Sequence, residues 1–278
     1  MAVREPGARP RPAPSPKGRA VAPAARGALC ARVVLATVLV AVGAMVAGKV
    51  VPVSTTQPAA AQGLGAVRGA VLEVGDSLGV DLGWGLATVL QGTGHAFVGA
   101  AVGDTGLAEP GYYNWPAHLA NDLSSYRPGL VIVFLGANDE ENLYVGGRFV
   151  PFGSTAWAAA YGQRVTTLLQ EVRRAGARTL WVGMPPMGNP SFSQAMSIIN
   201  GVYRSQVARQ GQGAAYFPSS DVLGDQGTYE AGPPGIAGSA APWRAPDGVH
   251  ITQAGADVLA GAVVGYLRGI GWLAPAQA

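Results

Sequence analysis

Residues 130–135 read Leu-Val-Ile-Val-Phe-Leu, a run with no polar position on either face. A strand with one face in water alternates polar and apolar residues, so a run that is apolar throughout belongs in a parallel sheet covered on both sides. Further runs rich in apolar residues occur at 70–74, 95–102, 179–184 and 214–217, and each reads as a strand. Stretches of helical period separate them. Leu78, Leu82, Leu86 and Val89 mark one helical face, and Trp157, Tyr161, Val165, Leu168 and Val172 mark a longer one closed by Gly176 as a C-cap. Residues 193–209 predict a further helix, and Thr252 caps a final one with Leu259, Val263, Tyr266 and Ile270 inward. Strand and helix alternate from 69 to 274, which predicts one doubly wound α/β layer domain.

The 49% of hydrophobic residues suffices for a core, and 278 residues allow one or at most two domains. A single cysteine, Cys30, excludes an internal disulfide framework and any multi-cysteine zinc module. The net charge of +3 hides an asymmetry: residues 1–32 carry seven basic groups and one acid, leaving −3 on the remainder. A nucleic-acid binder carries its positive charge on the folded domain. Here it sits on a Pro/Arg-rich tail, so no nucleic-acid partner is expected.

The sixteen uncharged residues 33–48 follow that tail, bracketed by Arg32 and Lys49. Residues 33–51 read as a transmembrane signal anchor whose cationic side stays in the cytoplasm. The rival reading is a cleaved signal peptide using Ala59-Ala60-Ala61. Both export the domain, the first leaving it extracytoplasmic on the cell membrane and the second releasing it. Residues 52–68, rich in Pro, Ala, Thr and Gln, make a flexible linker.

In doubly wound folds the site lies outside the carboxyl ends of the strands, where strand order reverses. Gly75-Asp76-Ser77-Leu78 follows the first strand, Gly103-Asp104-Thr105-Gly106 the second and Gly136-Ala137-Asn138-Asp139 the third; Asp247-Gly248-Val249-His250 precedes the last helix. With these four pieces in this order, the chain resembles the SGNH (GDSL) hydrolase superfamily over residues 70–272. The match is Ser77 in Gly-Asp-Ser-Leu, Gly103, Asn138 in Gly-x-Asn-Asp, and Asp247 with His250 in Asp-x-x-His; Gly106 competes with Gly103. The resemblance implies a flavodoxin-like three-layer α/β/α sandwich with a five-stranded parallel sheet. It also implies esterase or O-acyltransferase chemistry. Trp181 to Met187 and the Asp-Gly-Val-His-Ile-Thr ending are similar to an exported bacterial branch of mostly unassigned substrate.

The residues support that chemistry directly. A serine hydroxyl needs a base within hydrogen-bond reach, and the base needs a third group to fix its tautomer. Asp247 and His250, three apart on a turn, let the carboxylate hold Nδ1 while Nε2 faces Ser77. Attack on an ester builds charge on the carbonyl oxygen, where each aimed donor is worth about 3 kcal/mol. The Ser77 N–H, the Gly103 N–H and the Asn138 amide are the candidate donors, and no metal or organic cofactor is implied.

Each piece has a plainer reading. Ser77 alone serves as a helix cap, Asn138-Asp139 as a turn, and His250 as a satisfied histidine. Their joint order at successive strand ends favours the catalytic reading. Gly-x-Ser-x-Gly at 75–79 also fits the nucleophile elbow of α/β-hydrolases, but that elbow follows several strands, whereas Ser77 follows the first. His95, in the second strand, and His118 read as structural, and Glu73, odd inside a strand, as hydrogen-bonded. Tyr112, Tyr113, Trp115, Phe149, Phe152 and Trp157 are expected to pack loops or form an acyl or sugar platform, and Arg244 to meet an anionic substrate.

The expected partner is an ester-bearing small molecule, lipid or glycan, and the expected activity is hydrolysis of an acyl or acetyl ester of the cell envelope. Acyl transfer through the same acyl-enzyme and a non-catalytic envelope-binding module are the alternatives.

Overall fold

The computed structural model describes residues 65–91, 93–233 and 241–275. The basic tail 1–32, the expected anchor 33–51 and the expected linker up to residue 64 lie outside the described residues. Among the described residues no helix is long and apolar enough to cross a membrane.

In chain order the elements are β1 (Val71–Gly75), α1 (Ser77–Val89), β2 (Phe97–Gly99), α2 (Trp115–Tyr126), β3 (Leu130–Phe134), β4 (Leu143–Val145), β5 (Arg148–Val150) and α3 (Thr155–Arg174). Then come β6 (Arg178–Val182), α4 (Pro190–Gln210), β7 (Ala214–Phe217), α5 (Ser220–Leu223), β8 (Gly224–Asp225), β9 (Thr228–Tyr229) and α6 (Gln253–Gly269). Five strands form one parallel sheet in the order β2-β1-β3-β6-β7. Every residue of β1 and β3 is buried, as strands in the middle of a covered sheet must be, Glu73 of β1 included. Helices flank the sheet: α1 packs on α6, and α3 packs on α2 and α4. Strand order reverses between β1 and β3, so the loops after β2, β1 and β3 open side by side.

Local chemistry sets the boundaries. Asp76, Ser154, Asn189 and Thr252 cap α1, α3, α4 and α6, each side chain accepting an N–H of the first turn. Pro190 in the first turn starts α4 at 190 rather than the expected 193. Gly176, at φ 78°, follows the C-cap Ala175 of α3.

Two departures from expectation concern strand two. It spans only three residues, because as an edge strand it pairs with β1 alone and its side chains are half-buried or exposed. His95 therefore stands outside it, its Nδ1 3.0 Å from the Gly69 carbonyl, while His118 lies in α2 and stacks on Tyr113. The hairpin β4–β5 was not foreseen, although two short apolar runs around Gly146-Gly147 are its sequence signal.

The helices beside the site are held by apolar burial. Leu78, Leu82 and Leu86 are fully buried under α1, each worth about 2 kcal/mol. Gly85 is where α1 meets α6: a Cβ there would run into the Ala256 backbone, so only glycine allows the helices this close.

Glu73 departs from its expected hydrogen-bonded role. It is 1% exposed in β1, facing Gly79 and Gly83 of α1, and neither carboxyl oxygen has a hydrogen-bond partner among the described residues. Burial first, and repulsion from Asp76 second, push its carboxyl well above the ordinary range. The native state thus holds a proton that the unfolded chain releases near its usual value, and stability falls as pH rises through that value and beyond. Glu73→Met is expected to raise stability at pH 8 by about 2 kcal/mol and to flatten this decline. Urea unfolding at pH 5 and pH 8 checks both.

Candidate active site

The strand-to-helix turn after β1 is built around Asp76. Its buried carboxylate accepts from the N–H of Leu78 at 2.9 Å through Oδ1, and from those of Gly136 and Ala137, both at 2.7 Å, through Oδ2. One side chain thus caps α1 and clamps the loop after β3 to the loop after β1. Burial pushes this carboxyl up to about 6 against the three N–H donors, which favour its charged form. Because the capping falls to Asp76, the Ser77 hydroxyl is free for another partner.

That partner is His250. Its Nε2 lies 3.0 Å from Ser77 Oγ, across 173 positions of sequence, and its Nδ1 lies 2.7 Å from Asp247 Oδ2. Asp247 Oδ1 accepts from the backbone N–H groups of Val249 and His250 at 2.8 and 3.0 Å. Burial alone would raise the Asp247 carboxyl, but the His250 side chain and these two N–H groups outweigh it and hold the group at about 2. Asp247 is therefore a carboxylate at any physiological pH. Both side chains remain accessible, at 42% exposure for His250 and 48% for Asp247.

Three supports fix the turn that carries His250. The Ile251 N–H donates to buried Asp81 of α1 at 2.8 Å. The Gly188 N–H donates to the Gly248 carbonyl at 2.8 Å. Arg244 supplies the third: its guanidinium donates to the carbonyls of Pro186 at 2.7 Å and Val249 at 2.8 Å, over the Tyr229 ring. At 2% exposure Arg244 is a strut inside the protein, which overturns the expectation that it meets an anionic substrate. Its two terminal nitrogens donate to backbone carbonyls, while its Nε has no hydrogen-bond partner among the described residues. Arg244→Lys, with a single ammonium in place of the fork, is expected to cost about 2 kcal/mol by urea unfolding.

The oxyanion candidates lie on the neighbouring loops. The Asn138 Nδ2 donates to the Thr105 carbonyl at 2.8 Å, joining the loop after β3 to the loop after β2. Gly103 is exposed, and a Cβ there would meet no atom within 4 Å, whereas at Gly106 it would run into the Asp139 carboxylate. The glycine at 106 thus has a packing reason, and Gly103 borders open space.

Asp139 itself is buried; it accepts from the Ala108 N–H at 2.7 Å and from the Tyr161 hydroxyl. Tyr161 and Tyr203 hydroxyls are 2.8 Å apart, and Tyr203 donates to the Leu135 carbonyl at 2.7 Å. Sequence reasoning missed Asp76, Asp81 and Asp139 as supports. Only Asp76, directly before a helical pattern, carried a readable signal, that of a cap. Among the described residues no group of three His, Cys, Asp or Glu is placed to hold a metal ion.

The fold is that of the SGNH/GDSL hydrolases, with Ser77 and Asn138 in the loops after β1 and β3 and Asp247 and His250 in the turn ahead of α6. The periplasmic domain of a lipopolysaccharide acetyltransferase from Salmonella ser. Paratyphi A matches at 12% identity and a TM-score of 0.53, over 72% of this chain and 84% of that one. A protein of the G-D-S-L family from Desulfitobacterium hafniense matches at 12% identity and 0.52, over 70% and 98%. A GDSL-like lipase from Bacteroides thetaiotaomicron matches at 11% and 0.50, over 72% and 88%. These identities bear on fold alone. By sequence the chain belongs to the DUF459 family, a family of unknown function whose model matches residues 70–266. No curated protein matches the chain.

Proposed function

We propose that this protein is an exported serine ester hydrolase with Ser77 as nucleophile, His250 as base and Asp247 as the acid that orients it. One observation carries the reading: a continuous path of hydrogen-bond contacts runs from Asp247 Oδ2 through His250 to Ser77 Oγ, at 2.7 and 3.0 Å. In the first half-reaction Ser77 Oγ attacks the ester carbonyl carbon while its proton passes to His250 Nε2. Asp247 holds the Nδ1–H and stabilises the imidazolium that forms. The developing oxyanion is met by the N–H groups of Ser77 and Gly103 and by the Asn138 amide. Collapse expels the alcohol, which takes the proton from Nε2. Water, deprotonated by the same nitrogen, then cleaves the acyl-serine and restores the hydroxyl.

The substrate in this reading is an acyl or acetyl ester on an envelope lipid or glycan, approached from outside the cytoplasm. Its support is the arrangement at the N-terminus, where the basic tail 1–32 precedes the apolar segment 33–51 and a linker. Protease added to intact cells is expected to remove the domain while leaving a membrane-bound stub; a domain that stays protected until lysis counts against export.

A fluorophosphonate probe followed by tryptic mapping tests the mechanism. Such probes phosphonylate a serine activated by a base, so the adduct is expected on the peptide containing Ser77 and absent in His250→Ala. Labelling elsewhere, or none, rejects the assignment. If a glycan acceptor collects the acyl group faster than water does, the second half-reaction is transfer.

A further inference from the structure

A groove of about 700 Å³ lies along the continuation of the two loops that carry Gly103 and Asn138. That volume suits a bound small molecule. Tyr112 stands on one loop; Tyr144 and Phe149 stand on the β4–β5 hairpin. The latter two are directly opposed cross-strand neighbours, so they share one hairpin face, while Leu143 on the other face is fully buried. Their rings meet edge to face at 5.4 Å, yet they remain 63% and 76% exposed, and Tyr112 is 67% exposed. Packing accounts for Leu143 and not for these three rings.

The walls are held in place before any ligand arrives. The Asn142 side chain accepts from the Phe152 N–H at 2.8 Å across the hairpin base, and the Trp157 ring N–H donates to the Glu141 carbonyl at 2.8 Å.

Charge narrows the choice of occupant. Glu109 and Glu141 line the groove, and neither makes an ion pair or a side-chain hydrogen bond among the described residues. Burial, then repulsion from Glu109 and Asp139, raises the Glu141 carboxyl, and attraction to the nearby Arg164 guanidinium offsets this only in part. The guanidinium of Arg164, also at the groove, donates to the carbonyls of Leu107 and Ala108 rather than to either carboxylate. A neutral sugar or acyl chain leaves the repulsion between the carboxylates in place. An organic cation relieves it, and its polarised C–H surface is attracted to aromatic faces.

We infer that this groove receives an organic ammonium group, carried on the acyl or the alcohol side of the ester that Ser77 cleaves. The inference rests on the esterase reading for the ester but not for the ammonium, and the test separates the two. The full-length protein is titrated with choline and with neohexyl alcohol, its uncharged isostere, by calorimetry, a measurement that does not depend on turnover. Choline is expected to bind at least about 10-fold tighter, with the difference lost in Glu141→Gln and in Phe149→Ala. Equal affinities, or no choline binding, overturn the ammonium site even if esters are hydrolysed. Choline binding without hydrolysis of any ester supports the site and counts against the esterase instead. Two pairs of substrates then locate the charge: acetylcholine against neohexyl acetate for the alcohol side, and glycine ethyl ester against ethyl propionate for the acyl side. Preference for the charged member of one pair assigns the side; hydrolysis of all four without preference overturns the proposal.

Discussion

Ser77→Ala is expected to lower turnover of an activated ester such as p-nitrophenyl acetate by about 10⁴- to 10⁶-fold while leaving the fold intact. The size follows from removing the only atom that forms the covalent bond; what remains is hydrolysis by water near the oxyanion donors. The intact fold follows from the local structure. The first turn of α1 is capped by Asp76, and among the described residues the Ser77 hydroxyl bonds to His250 alone. Circular dichroism and the unfolding midpoint should therefore stay at their wild-type values. His250→Ala is expected to lose activity by a similar factor, and the double variant no more than either single one, because the two groups act as a unit. Unchanged turnover in Ser77→Ala would remove the basis of the mechanism.

The largest expected loss of stability belongs to Asp76→Ala, at about 4 kcal/mol or more by urea unfolding. Three N–H groups, of Leu78, Gly136 and Ala137, lose their acceptor in a place without water access, at about 1–3 kcal/mol each. Asp76→Asn is expected to recover only part of this. Its oxygen keeps the cap on Leu78, but its NH₂ group then points donors at the donors of Gly136 and Ala137. The pH signature has a definite sign as well. The native carboxyl titrates near 6 against an ordinary 3.8, so the native state binds the extra proton between those values. The Asp76 contribution to stability therefore falls as pH rises from about 4 to about 6, then levels off, a decline that Asp76→Ala should lack. A loss below about 1 kcal/mol in Asp76→Ala would mean that water reaches the three N–H groups after all.

What could be read before the structure was known divides by the range of the interactions. Apolar runs located β1, β3, β6 and β7 to within a residue or two at either end, because the apolar character that a covered sheet demands is written locally in each strand. Gly-Asp-Ser-Leu and Asp-x-x-His were legible because the residues of each motif occupy four consecutive positions, although Ser77 meets His250 only across 173 positions. The supports were not. Asp139 meets Ala108 and Tyr161, 31 and 22 positions away, and Tyr203 reaches back 68 positions to Leu135. No local pattern records such pairings. Arg244 misled for the same reason: a charged residue beside Asp-x-x-His reads as exposed, yet Pro186, 58 positions earlier, supplies the carbonyl that lets it be buried. Glu73 misled in the opposite sense, since a buried carboxyl without a partner runs against the usual satisfaction of polar groups.

The close approach of α1 and α6 at Gly85 also has a consequence in time. Ser77 opens one of these helices, and His250 stands just ahead of the other. As the ribosome extends the nascent chain, the hydroxyl and its imidazole are thus among the earliest and the latest parts of the domain to emerge. Until the second helix has been synthesised and docked, the serine lacks its imidazole partner, so on the proposed mechanism an incomplete chain carries no armed nucleophile.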